Sequence, residues 1–240
     1  HKVRISNSRG AVSLAKFAEE TGAIASGTEE VIDNFDVIIV SVPYGAIEAL
    51  AAIFRKRNLA DHVVVIDTGS YFHLRDGDIK VLDDEALSDS EYVSQMFAHP
   101  VVKVFNNIGV QSLAEKSRPA GHPDRVALPV AGDREDHKKV VMDLVESIGF
   151  DALDAGPLAQ SWKQQPGTPA FCTDYDLVKL PSVLNRAVRP EMRMRLDVFI
   201  SRVYKRDPAM TLEQTVEWCR EENDQPIEKV KEAYGWLSEK

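Results

Sequence analysis

Asp36-Val37-Ile38-Ile39-Val40-Ser41-Val42-Pro43 is an almost unbroken β-branched run. A strand with one wet face alternates apolar and polar side chains; this one does not, which predicts a central parallel strand covered on both faces. His62-Val63-Val64-Val65-Ile66-Asp67 repeats the signal. Between them, Ala46, Ile47, Leu50, Ala51 and Phe54 fall on one face of a helix predicted from Tyr44 to Arg57. Strand, helix and strand at short spacing form the pattern of parallel βαβ units, whose crossovers are right-handed.

The rhythm extends both ways. Upstream, the alternating strand Lys2 to Ser6 runs into the polar and basic cluster Ser6-Asn7-Ser8-Arg9-Gly10, then a helix with Val12, Leu14, Phe17 and Ala18 apolar, closed by Gly22. Ala23 to Ala25 reads as a short strand, and Thr28-Glu29-Glu30 opens a brief helix through Ile32. Downstream, the polar stretch Thr68 to Ser90 predicts a long loop of the kind that lines a site. A helix from Asp89 to Ala98 leads to the strand Val101 to Phe105, which ends in Asn106-Asn107. Arg125 to Val130 reads as a strand. Val140, Val141, Leu144, Val145 and Ile148 then mark an amphipathic helix closed by Gly149, and Phe150 to Asp154 the last strand.

Beyond Pro157 the character changes: Gln160 to Asp176 is loop-like, and helices dominate from Leu177 to Lys240. Thr211 with Gln214 forms a capping box, and Pro226 suits a helix start. The prediction is therefore an α/β fold, a Rossmann-type doubly wound parallel sheet over residues 1–157 with a C-terminal helical extension over residues 158–240. Leu212, Val216 and Cys219 against Ile227, Val230, Tyr234 and Leu237 pair the last two helices, as a packing or dimer element.

A net charge of -9 with mixed signs lacks the basic face that nucleic acid requires. Cys172 and Cys219 stand alone, without Cys or His at metal-ligand spacing, which suits idle thiols in a reducing cytoplasm. No apolar run approaches the roughly 20 residues of a membrane span.

In a doubly wound nucleotide-binding sheet the second strand ends at the adenosine ribose, where enzymes for NAD usually place an acid. Here stand Ser6, Asn7, Ser8 and Arg9. Small donors and a guanidinium fork suit a 2′-phosphate, although the same residues suit an ordinary polar turn. The chain opens with His1 and contains no glycine-rich fingerprint. In the order 3-2-1-4-5-6 a first strand lies between the second and the fourth, so a strand-turn-helix start of roughly 20 to 30 residues is expected upstream.

The motifs together resemble a known family. They are Ser6-Asn7-Ser8-Arg9-Gly10, Asp67-Thr68-Gly69-Ser70-Tyr71, Val102-Lys103-Val104-Phe105-Asn106-Asn107-Ile108, Leu128-Pro129-Val130-Ala131-Gly132-Asp133, Asp154-Ala155-Gly156-Pro157-Leu158 and Gln165-Pro166-Gly167-Thr168-Pro169. The pattern is similar to that of the NADPH-dependent F420 reductases, or F420-dependent NADP oxidoreductases, and to the N-terminal domain of STEAP metalloreductases. It covers about residues 1 to 175. The resemblance implies NADP at the carboxyl edge of the sheet, with the 2′-phosphate at Ser8 and Arg9 and with Ser6 and Asn7 nearby. Val42 and Pro43 would pass under the dinucleotide, and Thr68, Asn106 and Asn107 would approach the nicotinamide. It further implies hydride transfer to a flavin- or F420-type acceptor; with the idle thiols and the paired terminal helices, a cytoplasmic homodimer is expected. The sequence departs from the pattern in lacking the glycine loop and in having Gly69-Ser70 where relatives often show Thr-Asn. Structural roles stay open beside these: Val42 and Pro43 as a strand end, Asn106 as a helix cap, Thr68 as a turn cap.

The chain carries no Ser-His-Asp set, paired-carboxylate signature or metal cluster, and His73 and His99 are isolated histidines in or near loops. Hydride transfer between two redox cofactors fits such a sequence, because the protein has only to hold two rings at near-attack distance. A β-hydroxyacid dehydrogenase would need a Lys paired with an Asn one helical turn on. Lys179 and Asn185 are six apart and do not share a helix face well. A non-catalytic NADP-sensing protein is the other alternative.

Overall fold

The computed structural model describes residues 1–238; Glu239 and Lys240, the end of the predicted extension, lie outside them. The chain begins with β1 (Arg4–Ile5), a 3-10 turn at Ala11–Leu14 and α1 (Ala15–Thr21), which Gly22 closes in left-handed geometry at φ +75°. β2 (Ile24–Ala25) follows. Then come β3 (Val37–Val40), α2 (Ile47–Arg57), β4 (Val64–Asp67), the single turns α3 (His73–Asp76) and α4 (Lys80–Asp83), α5 (Asp89–Phe97) and β5 (Val101–Lys103). After α6 (Val110–Glu115) come β6 (Ala127–Gly132), α7 (Glu135–Ser147) and β7 (Asp151–Asp154). The remainder holds a 3-10 stretch at Leu158–Gln164, α8 (Leu180–Leu184), α9 (Met192–Val203), α10 (Leu212–Asn223) and α11 (Ile227–Ser238).

The larger sheet has the order β3-β4-β5-β6-β7, and β1 pairs with β2 in a separate parallel ribbon. β4 shows why the fold is doubly wound. Its Val65, with the preceding Val63, packs on one side against Ile47, Ala51 and Phe54 of α2 and Val93 and Phe97 of α5. Val64 and Ile66 pack on the other against Val141 and Val145 of α7. Each such large apolar side chain contributes about 1.5–3 kcal/mol when fully buried. Phe54 and Phe97 stack with ring centroids 4.0 Å apart, which locks α2 to α5.

Three details differ from the sequence-based expectation. β3 is an edge strand of the larger sheet; Ile38 and Val40 are buried on one face, while on the other Val37 is only partly buried and Ile39 is 55% exposed. β6 runs antiparallel to β5, with Val102 opposite Gly132, although the other three ladders of that sheet are parallel. Residues 28–34 form turns rather than the brief helix. There Arg4 donates to the carbonyls of Glu30 and Asp33 and lies over the Phe35 ring, which ties the β1 ribbon to the entry of β3.

The C-terminal part folds back on the sheet. Ala127 of β6 shares a cluster with Ala170, Tyr175, Leu180, Val183 and Leu184. Arg220 and Asn223 of α10 donate to the carbonyls of Thr173, Asp174 and Phe171. The Thr211 capping box opens α10 as predicted. Among the described residues no helix is long and apolar enough to cross a membrane.

Candidate functional site

Parallel β3, β4 and β5 deliver their following residues to one edge, and in open α/β sheets that carboxyl edge is where ligands bind. The turn after β1 divides the predicted cluster into two functions. Asn7 Oδ1 accepts from the Arg9 N–H (2.9 Å) and from Ser13 Oγ (3.0 Å), and Ser6 Oγ lies 3.2 Å from Thr28 Oγ1. These two residues shape the turn. Gly10 leaves it at φ +82°, a conformation that favours glycine. Ser8 and Arg9 are exposed, and neither side chain has a partner among the described residues. A cation without a counter-ion, beside a small hydroxyl just past β1, is free to take an anion.

Val42 is half-buried against the α2 side of the core, and Pro43 is exposed where the chain turns into α2. Thr68 ties β4 back to β3: its N–H and its Oγ1 both donate to the Val40 carbonyl, at 3.1 and 3.3 Å. Asn106 and Asn107 lie in a buried seam. Asn106 exchanges hydrogen bonds with Gln164, its Nδ2 donating to the Gln164 carbonyl (2.7 Å) and its Oδ1 accepting from Gln164 Nε2 (2.9 Å). The Asn107 carbonyl accepts from the Cys172 N–H (2.7 Å), and its Oδ1 is buried without a hydrogen-bond partner. The edge thus brings Val42, Pro43 and Thr68 to adjacent strand ends, while the Asn106 side chain is committed to the seam with the C-terminal segment.

Sequence reasoning missed the charged centre beneath this edge. Lys103, the last residue of β5, has no exposed surface, and Asp67, the last of β4, is 1% exposed. Asp67 Oδ2 accepts from Tyr44 Oη (2.7 Å), Ser90 Oγ (2.7 Å) and Lys103 Nζ (2.9 Å). Its Oδ1 accepts from the Gly69 N–H (2.9 Å), and Lys103 Nζ also donates to the Gly69 carbonyl. Burial, then the neighbouring Asp67, push the Tyr44 phenol well above its usual range, so it stays a donor. The signal was present: a lysine inside the apolar run Val101 to Phe105 must find a partner when the strand is buried.

Asp89, at the start of α5, is a second buried carboxylate next to this centre. It accepts from Gln165 Nε2 (2.5 Å) and the Tyr71 N–H (3.0 Å) and lines a small cavity of about 50 Å³ with Trp162 and His73. Burial raises its pKa to about 6, partly offset by the charge of Lys103. With the folded value above the unfolded one near 3.9, the folded state binds the extra proton, and stability falls as pH rises through 6. Asp89→Asn is therefore expected to gain on the wild type by about 1–1.5 kcal/mol between pH 5 and pH 8. Urea unfolding of both proteins at the two pH values checks this, and a constant difference would contradict it.

Two other features contribute no site. An open depression of about 660 Å³ beyond the start of β6 is lined by Arg118, Arg125 and Glu146. Its Arg125 is already held by Glu146, Asp151 and the Phe150 carbonyl. Lys179 and Asn185 are likewise occupied apart, Lys179 Nζ 4.9 Å from the Tyr175 ring centroid and Asn185 Oδ1 accepting from Lys163.

Residues 1–71 match the family model described as NADP oxidoreductase, coenzyme F420-dependent. YjhV of Escherichia coli (strain K12) is 40% identical over 78 residues, 32% of this chain; the match spans 57% of that curated relative. Among solved structures, hypothetical protein SMa0349 from Sinorhizobium meliloti is 29% identical, with a TM-score of 0.61 over 72% of this chain and 83% of that one. A proposed F420-dependent NADP-reductase from Arthrobacter sp. FB24 shares the fold, at 19% identity and a TM-score of 0.56 over 68% of this chain and 77% of that one. The matched residues 1–71 hold the unpartnered Arg9 turn and the first crossover, and over this part the chain is similar to the F420-dependent NADP oxidoreductases.

Proposed function

We propose that the carboxyl edge binds NADP(H) and that the chain takes part in hydride transfer between this cofactor and a flavin- or deazaflavin-type acceptor such as F420. The observation that carries the reading is the turn after β1, where Ser8 and the unpartnered Arg9 stand at the position that selects the ribose substituent. The residues present fit a 2′-phosphate: a fixed charge and a hydroxyl, with Asn7 spent on shaping the turn around them. When bound, the nicotinamide supplies the hydride. The protein's part is to orient: Val42 and Pro43 offer an apolar shelf, and Thr68 to Ser70 a rigid turn. The titratable groups beneath the edge, Tyr44, Asp67 and Lys103, are buried and paired with one another. That arrangement supports orientation rather than proton exchange with a substrate.

Mixing the chain with NADPH and, in turn, a flavin, F420 and a ferric chelate is expected to consume the nicotinamide absorbance with at least one of them. Tight binding of NADPH with no consumption across the panel would contradict hydride transfer and favour a non-catalytic NADP-binding protein.

A further inference from the structure

Gly69 is held inward at both of its backbone groups, its N–H on Asp67 Oδ1 (2.9 Å) and its carbonyl on Lys103 Nζ (2.5 Å). A trans peptide unit points its C=O and its N–H in opposite directions, and no peptide bond among the described residues is cis. The Thr68 carbonyl, in one unit with the Gly69 N–H, therefore points away from the buried centre, and so does the Ser70 N–H. Neither has a partner among the described residues, and Thr68, Gly69 and Ser70 are only half-buried. One acceptor and one donor thus flank Gly69 and face outward at the carboxyl end of β4.

The turn has little freedom to change this. Thr68 is tied to Val40, and the Ser70 carbonyl accepts from Arg75 Nη2 (2.6 Å). A Cβ on Gly69 would lie 2.6 Å from Tyr44 Cε2, so the glycine backbone rests directly on the ring. That ring is fixed in turn by Tyr44 Oη on Asp67. An outward acceptor and donor on a rigid turn are complementary to an amide that presents both N–H and C=O.

We propose that the Thr68 carbonyl and the Ser70 N–H form a preset clamp for a primary carboxamide, that of the cofactor's nicotinamide, with Asp67, Lys103 and Tyr44 as positioning residues. This rests on the NADP(H) reading above and adds the recognition of the ring's amide to it. The Thr68 carbonyl accepts from the carboxamide nitrogen, and the Ser70 N–H donates to its oxygen.

The test compares equilibrium binding of NADP⁺ with that of its 3-acetylpyridine analogue, in which a methyl replaces the amide nitrogen and the carbonyl remains. The wild type is expected to bind NADP⁺ about tenfold more tightly, the worth of one hydrogen bond lost against an unsatisfied carbonyl. Ser90→Ala removes one of the four donors on Asp67 while leaving its charge partner in place. The preference is expected to fall to about threefold or less in this variant, with the adenosine-side affinity for 2′,5′-ADP unchanged. Equal binding of the two dinucleotides by the wild type would overturn the clamp and leave the cofactor reading standing. Binding of neither would overturn both, and an unchanged preference in Ser90→Ala would overturn the positioning role.

Discussion

Lys103→Met is expected to lower the unfolding free energy by about 3–5 kcal/mol, as when one partner of a buried ion pair is removed. The methionine fills the space of the lysine stem, so the loss is electrostatic rather than a cavity. Asp67 would keep Tyr44, Ser90 and the Gly69 N–H as donors but lose its counter-charge, with Asp89 a second carboxylate close by. The Gly69 carbonyl would lose its donor as well. Adding Asp67→Asn to the variant removes the stranded charge and is expected to restore a substantial part of the loss, so the two changes couple. Urea midpoints of the wild type, both single variants and the double variant measure this. A cost below about 1 kcal/mol for Lys103→Met would mean that the pair does not organise the edge.

The second large effect lies where the C-terminal helices dock. Gly167 has φ +86°, and a Cβ there would meet the Met192 carbonyl oxygen at 2.3 Å and the Leu196 nitrogen at 3.2 Å. Both are backbone atoms of the first turns of α9, so no rotamer change relieves the clash. Backbone strain and overpacking together predict a cost of about 2–4 kcal/mol for Gly167→Ala. Thermal unfolding with limited proteolysis across α9 to α11 checks it: loosened helices are cut earlier than in the wild type. An unchanged melting temperature would show that the segment yields without cost.

The fold was legible where the residue pattern is local. The apolar runs of β3 and β4 announced the βαβ rhythm, and Thr211 with Gln214 announced α10. The antiparallel direction of β6 was not legible, because Ala127 to Gly132 is buried throughout and reads alike in either direction. Residues 28–34 misled because acids followed by Val31 and Ile32 suit a helix. A segment confined between Gly27 and Asn34, which has φ +61°, is too short to repay nucleation, and Arg4 binds its carbonyls instead.

The candidate site divides in the same way. Arg9 stood out because a charge just past a strand is a local feature, and the structure leaves its side chain exposed. Tyr44, Asp67, Ser90 and Lys103 are spread over three strand ends and a helix, and become one cluster only through the sheet order β3-β4-β5. Asn106, which the resemblance places toward the nicotinamide, has its side chain bonded to Gln164, a contact 58 residues away that no local pattern announces.

The measurement that bears most directly on the proposed site is a pair of equilibrium titrations, NADPH and NADH, carried out on the wild type and on Arg9→Ala. A 2′-phosphate held by the free guanidinium predicts that the wild type prefers NADPH. It also predicts that Arg9→Ala weakens NADPH roughly 10- to 100-fold while leaving NADH almost unchanged. Equal weakening of both dinucleotides, or a wild type that binds them alike, would contradict it.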